Sequence, residues 1–468
     1  MTGELVGLFI YLLLMLGIGA WVARSVHSEE DYLVAGRSMG FWLVSFSVFA
    51  TWFGAEAVIS TAANNYSDGL AGATADPFGW AAAILGAGLF FGRALWARGL
   101  TTYADLYQQR YGTGVERLAV VLMIPASVPW AAAQIRAFGQ VLGVSTGFDL
   151  EVTIVIASGF VMAYTLLGGL LADAITDLVQ GGALIVGLLA IFLAVQADVG
   201  GVWASLARVD APRLDPFLVG AEGWLTHVEA WSVVVLGGML AAEIIQRMIG
   251  ARSGGIALWG TVTGGLLYLV VSLVPVYLGL VGPELLPNLE DPEQLVPTLA
   301  REHLGSVAFV LFSGALVSMI LSTVDSALLT AGGLISHNLI VHAVPSITER
   351  GRLMAARLCV FAMGVLATWL AIGAERIYDL IILSTSITSA GLFVTTCFGL
   401  FSRLGGARSA VASNLAGVGV WTLGTTLDWT APWLASLLAA TVIYVAVAMT
   451  EPPAPGPAHV LQAGPASG

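Results

Sequence analysis

The sequence predicts an all-α, polytopic membrane protein of about 13 transmembrane helices, with a core of two inverted repeats of five helices each. Three observations carry this. The chain of 468 residues is 57% hydrophobic and only 10% charged, too apolar for a water-soluble protein of that length. Apolar runs of about 20 residues, the length that a hydrocarbon core of roughly 30 Å demands of a helix, recur from one end to the other. Glycine interrupts the runs that open two successive blocks of five, in "TWFGAEA" and "VVLGGMLAAEI".

The candidate spans run from about 4 to 23, 40 to 62, 75 to 97, 115 to 146, 151 to 170, 174 to 197, 228 to 251, 256 to 281, 306 to 335, 351 to 373, 377 to 402, 407 to 426 and 431 to 449. Residues 1–30 are expected to hold an extra N-terminal helix, 31–402 the inverted-repeat core and 403–450 two additional helices. The tail 451–468, "EPPAPGPAHVLQAGPASG", is rich in Pro, Ala and Gly and is expected to be disordered. Because five is odd, consecutive blocks of five spans enter from opposite sides, which makes the repeat an inverted one.

All 18 basic residues are arginine. Most of them, including Arg24, Arg93, Arg110, Arg247, Arg252, Arg352 and Arg408, fall on one set of alternate connections, and Arg208, Arg213, Arg301 and Arg376 on the other. The positive-inside rule then puts the first set and the C-terminus in the cytoplasm, with the N-terminus outside. The net charge of −12 comes largely from carboxylates in connections such as "VGPELLPNLEDPEQLVP", so the expected partners are a lipid bilayer and a small-molecule substrate, and not nucleic acid. Cys359 and Cys397 lie inside apolar spans and read as buried free thiols. The oligomeric state is not legible. No nucleotide loop, metal-ligand spacing or nucleophile constellation is present, so the chain does not read as an enzyme.

A helix that unwinds inside a bilayer frees backbone N–H and C=O groups that must bond protein, ligand or ion, because lipid offers them nothing. Glycine at such a place has a second reading, as a small residue that lets helices approach closely. Matched breaks in both halves favour the first. In "LSTVDSALLTAGG", Ser322, Thr323, Asp325 and Ser326 crowd hard oxygens into little more than one turn. A carboxylate at that depth costs about 2.5–3.5 kcal/mol, and no Lys or Arg lies in the same span to offset it. A bound cation is then the expected partner, and sodium suits oxygen ligands. Asp177, at a similar depth in the span 174–197, provides a second wall for the site; Asp173 and Asp177 also read as interfacial residues in contact with water, most simply so for Asp173.

Membrane tryptophans usually gather at the headgroup level. Trp52 and Trp130 sit too deep for that, and Trp80 lies toward the outer side. Converging indoles hold a cation by their ring quadrupoles, each contact being worth about 0.5–2 kcal/mol; core packing is the other reading. Glu56 and Glu243 are placed to meet a substrate cation, or else to bond Arg136 or Gln134.

"AGRSMGFWLVSFSVFATWFG", "YTLLGGLLADAITDLVQ" and "LSTVDSALLTAGGLISHNL" resemble three signature regions of the sodium/solute symporter family. The resemblance runs from about residue 31 to 402. Within that family the chain is most similar to the high-affinity choline transporters, through "ATWFG", "GLFFGRALWARGLTTYADLYQQRYG", "PWAAA" and "LGGMLAAEIIQR". The resemblance implies a leucine-transporter-like architecture and a sodium ion held by the carbonyls of Ala50, Phe53 and Met319 with the hydroxyls of Ser322 and Thr323. It also implies a second sodium set of Asp177, Ser322, Asp325 and Ser326. Trp52, Trp80 and Trp130 match aromatic positions around the family's choline, with Trp80 standing where tyrosine is usual. A further cage tryptophan is replaced by Ala241, and Glu56 and Glu243 stand where the pattern has small residues. These departures point beyond choline itself, toward bulkier, more polar or more highly charged amines.

The function expected from all this is sodium-coupled import of a small organic cation across the cell membrane by alternating access. The alternatives are a sodium-coupled symporter of an amino acid or other zwitterion, and a ligand sensor of the same fold.

Overall fold

The computed structural model describes residues 26–54, 56–216, 223–344, 346–374 and 389–452, a few isolated positions before 26, and residue 380. The predicted span 4–23, the first part of the span 377–402 and most of the tail 451–468 lie outside the described residues. No strand occurs among the described residues, where the backbone pairs in extended fashion at a single bridge between Met39 and Ala251.

The span predicted at 40–62 is a broken helix. Its first half, α1 (Phe41–Trp52), meets the second, which includes α2 (Thr61–Asp68), at an angle of 67°. A second interrupted helix comprises α3 (Gly223–Ser232), a wide turn over Val233–Gly237, and α4 (Ala242–Ile249), with Ala241 in extended conformation at the break. The remaining long helices are α5 (Thr113–Thr146), α6 (Leu150–Asp198), α7 (Gly254–Leu285), α8 (Ser306–Ile335) and α9 (Glu349–Gly373). Ala390–Phe401, Ala407–Thr426 and Pro432–Ala448 complete the described helices at the C-terminal end. Seven described helices are long and apolar enough to cross a membrane, eight when the bent pair counts as one span.

Local chemistry sets several of these boundaries. Ser253 and Thr348 cap α7 and α9 by accepting the N–H of Ile256 at 3.3 Å and of Gly351 at 3.2 Å, which satisfies donors that a helix start leaves free. The two spans predicted at 151–170 and 174–197 form one helical run, broken in direction at Gly169. Gly169 has φ +59°, and a Cβ there would stand 2.6 Å from the Tyr32 carbonyl oxygen, so only glycine fits both the turn and the contact.

Packing then places both breaks at the centre. α1 lies against α4, α6, α7 and α8, while α5, α6, α8 and α9 pack on one another as a bundle. Polar residues are concentrated where α1, α4, α6 and α8 meet, and the apolar faces of the outer helices point outward; Val186, Leu193, Val270 and Trp369 are among the large exposed hydrophobic residues. That inside-out polarity is what a lipid solvent requires.

Candidate functional site

The helical ladder of α1 stops with the Phe53 N–H donating to the Phe49 carbonyl at 3.0 Å. The carbonyls of Ala50 to Phe53 are therefore the last of a helix, the groups that no further turn satisfies. Gly54 follows, and a Cβ there would stand 2.8 Å from Gln134 Oε1 and 3.2 Å from Thr323 Oγ1. The broken end of α1 is thus seated against α5 and α8 so closely that a side chain would push it off. Ala50, Phe53, Met319, Ser322 and Thr323 are all buried, and Thr323 donates its hydroxyl to the Met319 carbonyl at 3.1 Å. The candidate ligand groups of these five residues, carbonyls and hydroxyls, are all oxygen donors, a type suited to a hard monovalent cation and not to a soft metal.

One turn further along α8 the site is more polar than the sequence suggests. Asp177 is fully buried and accepts the hydroxyl of Ser47 at 2.7 Å and that of Ser322. Ser326 donates to Asp173 at 2.9 Å. Arg247, from α4, reaches into the cluster: its guanidinium donates to Asp173 and Ser326, and its Nε to Ser47 Oγ at 3.2 Å. Asp325 stands beside Asp173, only 3% exposed, and its Oδ1 has no hydrogen-bond partner.

Three expectations are corrected by these contacts. Arg247 is not on an exposed connection: it is fully buried and ion-paired with Asp173. Asp173 is not an interfacial residue touching water, since it is 3% exposed. And the carboxylates of α6 and α8 do not depend wholly on a bound ion, because a neighbouring helix brings them a guanidinium. Reasoning span by span missed this partner. A usable signal was present in "AEIIQRM", where Glu243 and Arg247 sit four apart just after a break; the Arg247 guanidinium indeed bonds the Glu243 carbonyl at 3.3 Å.

Beside the breaks lies a cavity of about 770 Å³, counted with the part open to solvent. Trp52, Trp80 and Trp130 line it together, with ring centroids 4.3 Å apart for Trp52 and Trp80, 5.8 Å for Trp52 and Trp130, and 6.1 Å for Trp80 and Trp130. Trp52 is the last residue of α1. Trp130 follows Pro125 and Pro129 in α5, which lack the N–H that a regular helix would use there and so loosen the wall of the cavity. Gly238 admits Trp80, because a Cβ at that position would stand 2.7 Å from its ring. The second break contributes Gly237, Gly238, Leu240, Ala241 and Ala242, and the polar lining comes from Thr51, Tyr103, Ser127 and Glu243. Glu243 accepts the Ser127 hydroxyl at 2.6 Å. Neither Tyr103 nor Ser127 is among the candidate site residues of the sequence, although Tyr103 stands within one of the segments that carry the family resemblance.

Glu56 behaves differently. It is not among the residues lining the cavity, and it bonds neither Arg136 nor Gln134; its carboxyl interacts with Asp76 and with the indole of Trp80. Arg136 donates to the Ala371 carbonyl at 2.9 Å. Among the described residues the cavity wall therefore carries one carboxylate, Glu243, and no basic side chain, an arrangement that favours a cationic ligand.

Several known proteins share sequence or fold with this chain. The chain is 27% identical over 445 residues to the human high affinity choline transporter 1, covering 88% of this chain and 75% of that one. It is 27% identical to the Drosophila melanogaster high-affinity choline transporter 1 over 80% of this chain and 63% of the relative. It is also 24% identical to the sodium/pantothenate symporter of Haemophilus influenzae, over 91% of each chain. Among solved structures, a Na+-coupled sialic acid symporter in a substrate-bound outward-open state superposes with a TM-score of 0.85 at 18% identity, covering 97% of this chain and 98% of the other. MhsT in complex with L-phenylalanine superposes with a TM-score of 0.56 at 12% identity, over 88% and 98% of the two chains. The fold is thus leucine-transporter-like. Residues 32–417 match the model of the sodium:solute symporter family, and the chain belongs to that family.

Proposed function

We propose that the chain couples the entry of sodium to import of a small organic cation of the quaternary-ammonium class, choline or a bulkier relative. The convergence of three indoles and a single carboxylate on one cavity carries this reading. Indole faces attract a cation without requiring a hydrogen-bond donor on it, and Glu243 offsets its charge. A zwitterion would bring a carboxylate into a wall whose described residues include no cationic side chain to receive it.

Sodium is the second cargo. Its proposed ligands are the carbonyls of Ala50, Phe53 and Met319 and the hydroxyls of Ser322 and Thr323, which join the broken α1 to α8. An ion there ties down the helix end that also carries Trp52, so ion binding and pocket formation are linked through a single residue run. Of the set Asp177, Ser322, Asp325 and Ser326, Ser326 is already engaged by Arg247 and Asp173, which supports one sodium per cycle. With the arginine-rich connections in the cytoplasm and the N-terminus outside, each inward charge gains about 2.3 kcal/mol per 100 mV, and a tenfold sodium gradient adds about 1.4 kcal/mol. One ion suffices for several hundred-fold accumulation.

The test is uptake into proteoliposomes, with and without sodium, against a panel of amines, betaines and amino acids. Trp52→Ala should raise the half-saturating concentration of the best quaternary amine roughly three- to thirtyfold; an unchanged value removes the cage. Thr323→Ala should raise the sodium concentration needed for half-maximal uptake, and an unshifted sodium curve removes the assigned ion site. Transport of an amino acid, with no competition from amines, would replace the cation reading.

A further inference from the structure

We propose that Glu56 and Asp76, beside Trp80, form a proton-binding site in which Glu56 is a neutral carboxylic acid that donates to Asp76. The argument starts from two buried groups of opposite kind. Asp76 is 4% exposed; its Oδ1 accepts the Tyr268 hydroxyl at 2.6 Å, and its Oδ2 has no partner. Trp80 is 2% exposed, and its indole N–H likewise lacks a full hydrogen bond. Orphaned groups of this kind are rare in a folded interior and call for a partner. The segment Glu56–Ser60 packs against Thr74–Gly79, which carries Asp76 and leads into Trp80, and the Glu56 carboxyl interacts with both Asp76 and the Trp80 indole.

A carboxylate at Glu56 would answer the indole alone and set a second negative charge beside Asp76. A carboxylic acid answers both, its carbonyl oxygen accepting from Trp80 and its O–H donating to Asp76 Oδ2. A metal cation fits poorly. It would face the positive end of the Trp80 N–H dipole, and hard cations seek several oxygen ligands, whereas no group of three carboxylate, histidine or cysteine side chains placed to hold a metal ion occurs among the described residues. A proton needs only the two oxygens that are present.

Among the described residues no basic side chain is bonded to Glu56 or Asp76, and Glu293 lies on the segment Pro292–Gln294 that packs against Glu56–Ser60. Tyr268 on α7 is the titratable side chain facing the pair from the packed helices, and Thr61 lies beside Asp76. Elsewhere on adjoining elements, Glu284 is paired with Arg208, His303 with Asp198, and Glu229 accepts the backbone N–H groups of Trp433 and Leu434. His227 is bonded by the Trp231 indole, Tyr66 donates to the Leu286 carbonyl, and Asp68, Arg301 and Glu302 are exposed. Glu56 itself is only half-buried, which leaves it a route to solvent. Because Trp80 is shared with the cavity, release of this proton would withdraw a hydrogen-bond partner from one wall of the substrate pocket and make substrate binding sensitive to pH.

Infrared difference spectra of the purified full-length protein at neutral pH test the site directly, whether or not an amine is carried. Wild type minus Glu56→Gln should show loss of a carboxylic-acid C=O band that moves on exchange into D2O. A difference containing carboxylate bands alone overturns the proposal. Should Glu56→Gln fail to fold, Asp76→Asn serves instead: the band should persist at a shifted frequency, since its acceptor is then a neutral amide, and an unshifted band overturns the pairing. A carboxylate signal that answers to sodium and vanishes in Glu56→Gln would assign the site to a metal cation and overturn it equally. In uptake assays, Glu56→Gln should flatten the dependence on the pH of the medium, and an unaltered profile would remove the link to substrate binding.

Discussion

Arg247→Ala is expected to lower the stability of the purified protein by about 3–5 kcal/mol, the usual consequence of leaving one buried charge without its partner. The guanidinium is fully buried and touches Asp173 on α6, Ser326 on α8 and Ser47 on α1. It is thus a four-way tie between the second broken helix and the three elements that build the proposed ion site. Removing it strands Asp173 beside Asp177 and Asp325 in a medium where water cannot redistribute the charge. The loss should be partly reversed in the double variant Arg247→Met with Asp173→Asn, which removes both charges together. Thermal unfolding in detergent measures both; a single variant that melts like wild type, or a double variant no better than the single, would show that the ion pair does not hold this region together.

Glu243→Gln is expected to raise the half-saturating concentration of a permanently charged amine roughly ten- to a hundredfold, the range for losing a charge-assisted contact. The substitution keeps the shape of the side chain and an oxygen for the Ser127 hydroxyl, so the cavity should stay intact. Uncharged analogues of the same amine should be affected little. The concentration dependence of uptake reads this directly, and equal effects on charged and uncharged analogues would mean that Glu243 positions the helix break and does not meet the substrate.

Much of the architecture was legible because a bilayer leaves so few choices. Long apolar runs must be helices there, and described helices follow the predicted spans at 75–97, 115–146, 256–281, 306–335 and 351–373 to within a few residues, except where 115–146 begins earlier and 256–281 and 306–335 run on beyond their predicted ends. The interruption at Gly54 was legible for the same reason, since a glycine among a tryptophan and a glutamate has no role in a plain anchor. That the broken end of α1 lies against the hydroxyls of α8 was an expectation of the family resemblance, and the seat of Gly54 beside Thr323 agrees with it.

The sequence by itself determined which segments can enter lipid, where two of them must unwind, and which residue types are available at that depth. Those follow from solvation and backbone hydrogen bonding, which act on each segment alone. Only the tertiary structure decided how the charges pair. It turned Arg247 inward to Asp173, brought Glu56 within reach of Asp76 and Trp80, and put Glu243 on the cavity wall. Electrostatic partners depend on distances between helices far apart in the chain, and a buried charge is satisfied by whichever opposite group the packing brings within a few ångströms.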